Sequence, residues 1–158
     1  SHQNYPQKHE VHWFYIIINK TDHSWAFNGG TPQQHIAALE LYGTLILLKH
    51  IAQKHHATTN ITIPLLTDNQ GNTYNVADYR SKHWPNAPIL MEIAFTHYYE
   101  LCRPNLNHVL READTWADQL THRDTTGFND QLNMNIDDTK INWHILDKLL
   151  RHYEARVK

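Results

Sequence analysis

The chain has 158 residues, 41% hydrophobic and 11% aromatic, with a formal net charge of −2 and a pI near 6.7. That length suits one domain with a sizeable core, and the composition excludes an intrinsically disordered chain. The near-neutral balance argues against a free-standing nucleic-acid binder, which normally carries a clear basic excess, although fourteen histidines add positive charge at mildly acidic pH.

Residues 1–10, "SHQNYPQKHE", are polar and aperiodic and read as a tail. "VHWFYIIIN", 11–19, is β-branched and aromatic throughout, as a buried strand would be. After a loop comes the strongest helix signal, "TPQQHIAALELYGTLILLKHIAQKHH", with Thr31 as N-cap, Pro32 as first helical residue and Gln34 completing a capping box. Ile36, Leu39, Tyr42, Ile46 and Leu47 recur there at helical spacing. The basic end of that helix, with Lys49, His50, Lys54, His55 and His56, reads as positive charge suited to the helix dipole.

"NITIPLLTD" predicts a second strand ending at Asp68, with Pro64 suggesting a bulge or an unpaired position. "NTYNVADYRSK" predicts a short helix, and "APILMEIAFTHYYELC" a longer one stopped near Pro104. "LNHVLRE" predicts a third strand and "TWADQLTH" a helical turn. A loop then leads to a final amphipathic helix with Ile141, Ile145, Leu146, Leu149, Leu150 and Tyr153 on one stripe. The order β-α-β-α-α-β-α is an α/β layout, with helices covering a sheet. Residues 11–122 read as the domain, and residues 123–158 as an extension whose amphipathic helix packs on it.

No apolar run reaches the length of a membrane span, and no basic-then-apolar leader stands at the start, so neither a membrane nor a secretory signal is expected. The single Cys102 forms no internal disulfide, which fits an intracellular, reducing compartment. It has no nucleophile context and reads as a small buried residue.

Three acids stand in suggestive places. Glu40 lies inside the long helix among Ile36, Ala37, Leu41 and Leu47, where a carboxylate is costly unless paired, protonated or bound to a cation. Asp68 ends a strand, and in open α/β sheets ligands sit beyond the carboxyl ends of strands. Asp118 sits near the start of a late helix. Singly, each has an ordinary reading: a carboxylate reaching water, a turn or cap residue, a solvated aspartate. Together they supply the hard oxygen ligands that magnesium wants, and two bridged ions can clamp the attacking and leaving oxygens of a phosphodiester. Asp118 and His122 share an i, i+4 spacing that can bind a transition metal, but no third or fourth ligand accompanies them.

"IAALELYGTLILLKHI", "LLTDNQGNTYNV" and "LREADTWADQLTH" resemble three blocks of the ribonuclease H domain that follows reverse transcriptase in retroelements. "HWFYIIINKTDHSWAFNGGT" resembles the strand and loop leading into the first helix of that family, so the resemblance covers residues 12–122. It implies a ribonuclease H-like mixed sheet flanked by helices and cleavage of the RNA strand of an RNA–DNA hybrid. The cofactor implied is Mg2+, two ions, with Mn2+ as a substitute. The family's helix Glu falls on Glu40, its strand-end Asp on Asp68 and its late Asp on Asp118. Asn69 and Gln70 then lie beside the hybrid, where amides can meet sugar or phosphate. Arg80 and Lys82, in the basic-aromatic "YRSKHW", can grip the nucleic-acid backbone, against the plainer reading of a solvated helix end.

Two features depart from the family pattern. Asp114 stands where an Asn is usual, and the chain begins after the family's first two strands, the first of which carries a catalytic Asp. A sheet without those strands leaves ladder groups unpaired and an apolar face uncovered. A complementing protein chain or fragment is therefore expected to supply the missing strands, unless the N-terminus rearranges to fill the slot. Two functions follow: a ribonuclease H-type hydrolase acting on an RNA–DNA hybrid or RNA, or a catalytically inactive module recruited into a larger ribonucleoprotein assembly.

Overall fold

The computed structural model describes residues 6–27, 35–55, 59–81, 83–109 and 115–148. In chain order these form α1 (Ile36–His55), β1 (Ile61–Thr67), α2 (Gln70–Asp78), α3 (Asn86–Tyr99), β2 (Cys102–His108) and α4 (Thr115–Thr121), with short 3-10 turns in the flanking segments. The architecture is mixed α/β: a two-stranded parallel sheet with helices packed on it.

The strands run in unbroken register from Ile61 opposite Cys102 to Thr67 opposite His108. Leu65, Cys102, Pro104 and Leu106 are buried on one face, while Thr62, Pro64, Leu66, Arg103, Asn105 and Asn107 are exposed on the other. That is the period-2 alternation of a sheet with one covered face. Pro64 produces no bulge; it sits opposite Asn105 in a strand paired along one edge among the described residues, where a missing N–H is tolerated. The strand expected over "LNHVLRE" begins earlier. α3 ends at Tyr99, Leu101 turns the chain at φ 61°, and β2 starts at Cys102, so Pro104 lies within the strand instead of stopping the helix.

α1 buries Ala38, Leu41, Tyr42, Leu45, Ile46, Leu48, Lys49 and Ala52, a stripe recurring every three to four residues. Of the expected stripe, Tyr42 and Ile46 are in the core and Leu39 and Leu47 are half-buried against it, while Ile36 at the start of the helix is exposed. The proposed cap residues Thr31, Pro32 and Gln34 lie outside the described residues. Against α1 pack Ile89, Leu90 and Ile93 of α3, and each such fully buried side chain contributes roughly 1.5–3 kcal/mol.

Lys49, in the basic run at the end of α1, is only 1% exposed. Its ammonium lies 2.8 Å from Oε2 of the fully buried Glu92 and 2.5 Å from Oε1 of Glu100. The other Glu92 oxygen accepts the backbone N–H groups of His144, Ile145 and Leu146 at 3.0, 2.8 and 2.9 Å. A carboxylate in α3 thereby caps the start of the last helical turn, which begins at Leu146. Of the stripe predicted for a final helix, Leu146 is in the core, Ile141 and Ile145 sit in bends, and Leu149, Leu150 and Tyr153 lie outside the described residues.

A second buried carboxylate fastens the same segment further upstream. Asp138 Oδ2 accepts from Tyr42 Oη at 2.5 Å and from His23 Nε2 at 2.6 Å. His23 Nδ1 accepts the backbone N–H of Asn19, which leaves Nε2 as the protonated nitrogen facing Asp138.

"VHWFYIIIN" is not a strand, contrary to its composition. Trp13 forms an isolated bridge with Asn133, and residues 14–18 make no backbone hydrogen bond to another described residue. The segment is nonetheless sided: Phe14, Ile16 and Ile18 pack on the core, while Tyr15 and Ile17 are exposed, Ile17 by 53%. Strand-like residues have found an apolar support here, without a ladder partner.

Candidate functional site

The carboxyl end of the sheet is assembled by short local bonds. Beyond Thr67 the chain bends at Asp68, and Asn69 donates its N–H to Thr67 Oγ1 at 3.1 Å. Asn69 then serves as N-cap of α2, its Oδ1 accepting the Asn72 N–H at 3.1 Å. Gly71 keeps this turn tight, because a Cβ there would stand 3.3 Å from Asn69 Oδ1. The Val109 N–H bonds Thr67 O at 2.8 Å, so β2 follows β1 to its last residue.

Asn72 links this end to α1. It is 1% exposed, and its Nδ2 donates to the carbonyl of Ala37 at 3.0 Å. Ala37 lies one turn before Glu40, which shares its side of the helix. The bond sets the amino end of α1 beside the carboxyl end of β1, so Glu40 and Asp68, 28 positions apart, belong to the same end of the sheet. Both are half-buried, and Glu40 Oε2 is screened from solvent. Asn72 Oδ1 is also screened and has no hydrogen-bond partner among the described residues.

Asp118 is placed differently. It is exposed in α4, a helix without buried residues, whose Gln119 accepts from Lys8 Nζ and donates to Thr126 O. Among the described residues no hydrogen bond joins α4 to α1 or β1, and no three His, Cys, Asp or Glu side chains stand grouped as metal ligands. Asp114 and the residues joining β2 to α4 lie outside the described residues.

Of the expected nucleic-acid contacts, Asn69 has its Oδ1 engaged in the cap and its amide NH2 left to donate. Gln70 is exposed and donates to Tyr74 Oη at 3.3 Å. Arg80 is exposed just beyond α2, and Lys82 lies outside the described residues.

The donor chemistry at the sheet end is hard oxygen, the kind magnesium takes while retaining several waters. Elsewhere, a cleft of about 480 Å³ between residues 21–25 and 138–147 is lined by Trp25, Tyr42, Asp138 and Trp143, and neither Glu40 nor Asp68 borders it. Sequence reasoning missed Asn72 as the clamp. The available signal was a second Asn one turn into a helix already capped by an Asn. Comparison with family models, curated proteins and solved structures gives no match.

Proposed function

We propose that the chain is a ribonuclease H-like nuclease domain of a retroelement polyprotein, hydrolysing the RNA strand of an RNA–DNA hybrid. One observation carries the reading. Two carboxylates distant in sequence, Glu40 and Asp68, belong to one end of a parallel sheet, held there by the Asn72–Ala37 bond. Glu40, Asp68 and Asp118 would hold two magnesium ions, with manganese as a substitute. When bound, such ions supply Lewis acidity and a hydroxide-like nucleophile. The chain's own part is to orient the hybrid: the Asn69 and Gln70 amides toward sugar and phosphate, Arg80 and Lys82 toward the backbone.

The reading includes a complementing strand from another chain or fragment. It is supported by β1 being paired on one edge, and residues 14–18 being sided but unladdered, among the described residues. A sedimentation experiment in which the chain is a stable, folded monomer would count against this part.

A second reading, a non-catalytic ribonuclease H-like module in a ribonucleoprotein assembly, is favoured by the exposed, separately held Asp118 and the net charge of −2. Cleavage of a labelled RNA–DNA hybrid separates the two. Magnesium-dependent product that disappears in Asp68→Asn supports the nuclease; no product, even with candidate strand-supplying fragments present, supports the module.

A further inference from the structure

At the opposite end of the sheet from Asp68, the carboxyl ends of α2 and α3 bring three rings together, at the end of the sheet where β2 begins and carries Arg103. Tyr79 caps α2 in the left-handed region at φ 52°, a conformation uncommon for a bulky aromatic residue. Its hydroxyl lies 2.5 Å from His97 Nδ1. The His97 imidazole stacks on Tyr98, with centroids 4.2 Å apart and planes 20° apart, and Tyr79 lies 6.2 Å from Tyr98. Arg103 is exposed in the second position of β2, at this same end of the sheet; burial and then its charge lower the His97 pKa, and it opposes the rise that burial and Tyr98 impose on Tyr79. Tyr98 is 64% exposed. Beside it a second row stacks: His144 on Phe95 at 4.3 Å and Phe95 on Tyr99 at 4.7 Å, with Tyr99 75% exposed.

Large exposed rings held by stacking contacts cost little side-chain entropy when they bind, and every base offers a π-face to them. A nearby arginine supplies a phosphate partner. We propose that Tyr79, His97, Tyr98 and Arg103 form a stacking platform for single-stranded nucleic acid, a binding surface separate from the acids. Arg103 pairs with Thr62, six positions along β1 from Asp68, which sets the platform about 20 Å from the sheet end. Resting on the nucleic-acid reading above, the platform gives the domain a grip on a strand that continues past the hybrid.

Fluorescence anisotropy of labelled twelve-nucleotide ribo-U and deoxy-T, titrated with the full chain, tests the proposal. Tyr98→Ala should weaken binding about tenfold while Tyr98→Phe preserves it, since stacking needs the ring and not the hydroxyl. Arg103→Gln should lower the slope of log affinity against log salt by about 0.7, the loss of one phosphate contact. Tyr98 and Arg103 are exposed, so these variants keep the fold. Equal affinity of Tyr98→Ala and the unaltered chain, or no binding of either oligonucleotide, overturns the platform. Hybrid cleavage reports separately: cleavage with no Tyr98 effect sinks only the platform, whereas oligonucleotide binding without cleavage sinks only the nuclease.

Discussion

Glu92→Ala probes what holds the C-terminal segment to the core. The substitution removes a carboxylate whose Oε1 accepts three backbone N–H groups at 2.8–3.0 Å and whose Oε2 faces Lys49 at 2.8 Å. Three donors at a buried helix start lose their acceptor, and Lys49, itself buried, keeps Glu100 at 2.5 Å as a partner. Breaking a buried ion pair by removing one partner costs about 3–5 kcal/mol; Glu100 offsets part of this, and the orphaned N–H groups add to it. We expect a loss of about 4 kcal/mol by urea titration and, at this chain length, a fall in Tm of about 10 °C. Combining it with Lys49→Met should cost less than the sum of the two single changes, by about 1–3 kcal/mol, because the second change removes the charge stranded by the first. The pH dependence has a definite sign. Burial pushes the Glu92 pKa up, but the N–H groups of Leu146 and Ile145 and the Lys49 ammonium outweigh it and hold it below its ordinary 4.5. A carboxyl depressed on folding contributes stability above its unfolded pKa, and that contribution is lost as pH falls through the folded value. Acid lability below about pH 4.5 should therefore shrink in Glu92→Gln. A change under about 0.5 kcal/mol in Glu92→Ala at neutral pH would refute the reasoning, since that is what an unremarkable surface position gives.

Asp138→Ala should cost about 2–4 kcal/mol by the same titration, since it leaves the Tyr42 hydroxyl and His23 Nε–H buried without their acceptor. Asn72→Ala should cost about 1–3 kcal/mol by stripping the Ala37 carbonyl of a donor, and hydrogen exchange should show the first turn of α1 opening more readily. Cys102 is fully buried, and burial, with Glu100 nearby, pushes its thiol pKa up, so maleimide should label it only as fast as the chain unfolds. Rapid labelling of native protein would contradict that packing.

The sequence signals worked where side-chain pattern and backbone partner were both local. β1 is framed by "NITIPLLTD" because β-branched residues run into the Asp68-Asn69 bend, and α2 follows because Asn69 caps it from within the same stretch. They failed where the deciding partner is remote. Residues 11–19 have strand composition, but strand pairing belongs to the neighbour as much as to the segment, and here only Trp13 finds a bridge. Lys49 reads as one cation of a basic helix end, and its partners Glu92 and Glu100 lie more than forty residues away. Glu40 and Asp68 come to one end of the sheet because a helix and the strand that follows it after a short connection run in opposite directions, which sets the start of α1 beside the end of β1. Asp118 sits on α4, which Lys8 and Thr126 fasten through Gln119, contacts with no mark in the local sequence.

The two buried carboxylates act in opposite directions across one seam. Glu92 reaches from α3 out to residues 144–146, whereas Asp138 reaches from the C-terminal segment in to His23 and Tyr42. Burial raises the pKa of Asp138 too, but the His23 and Tyr42 hydrogen bonds outweigh it and hold the group below its ordinary 3.8. Each end of the seam therefore releases its grip by taking up a proton, in overlapping windows below about pH 4.5 and 3.8. Hydrogen exchange across this range should show residues 138–146 losing protection as a unit, steeper in pH than one proton allows, before the α1–α3 core built on Leu41, Leu45, Ile89 and Ile93 opens. Simultaneous loss of the seam and the core would mean that apolar contacts of Leu146 and Trp143, and not the two carboxylates, fasten the segment.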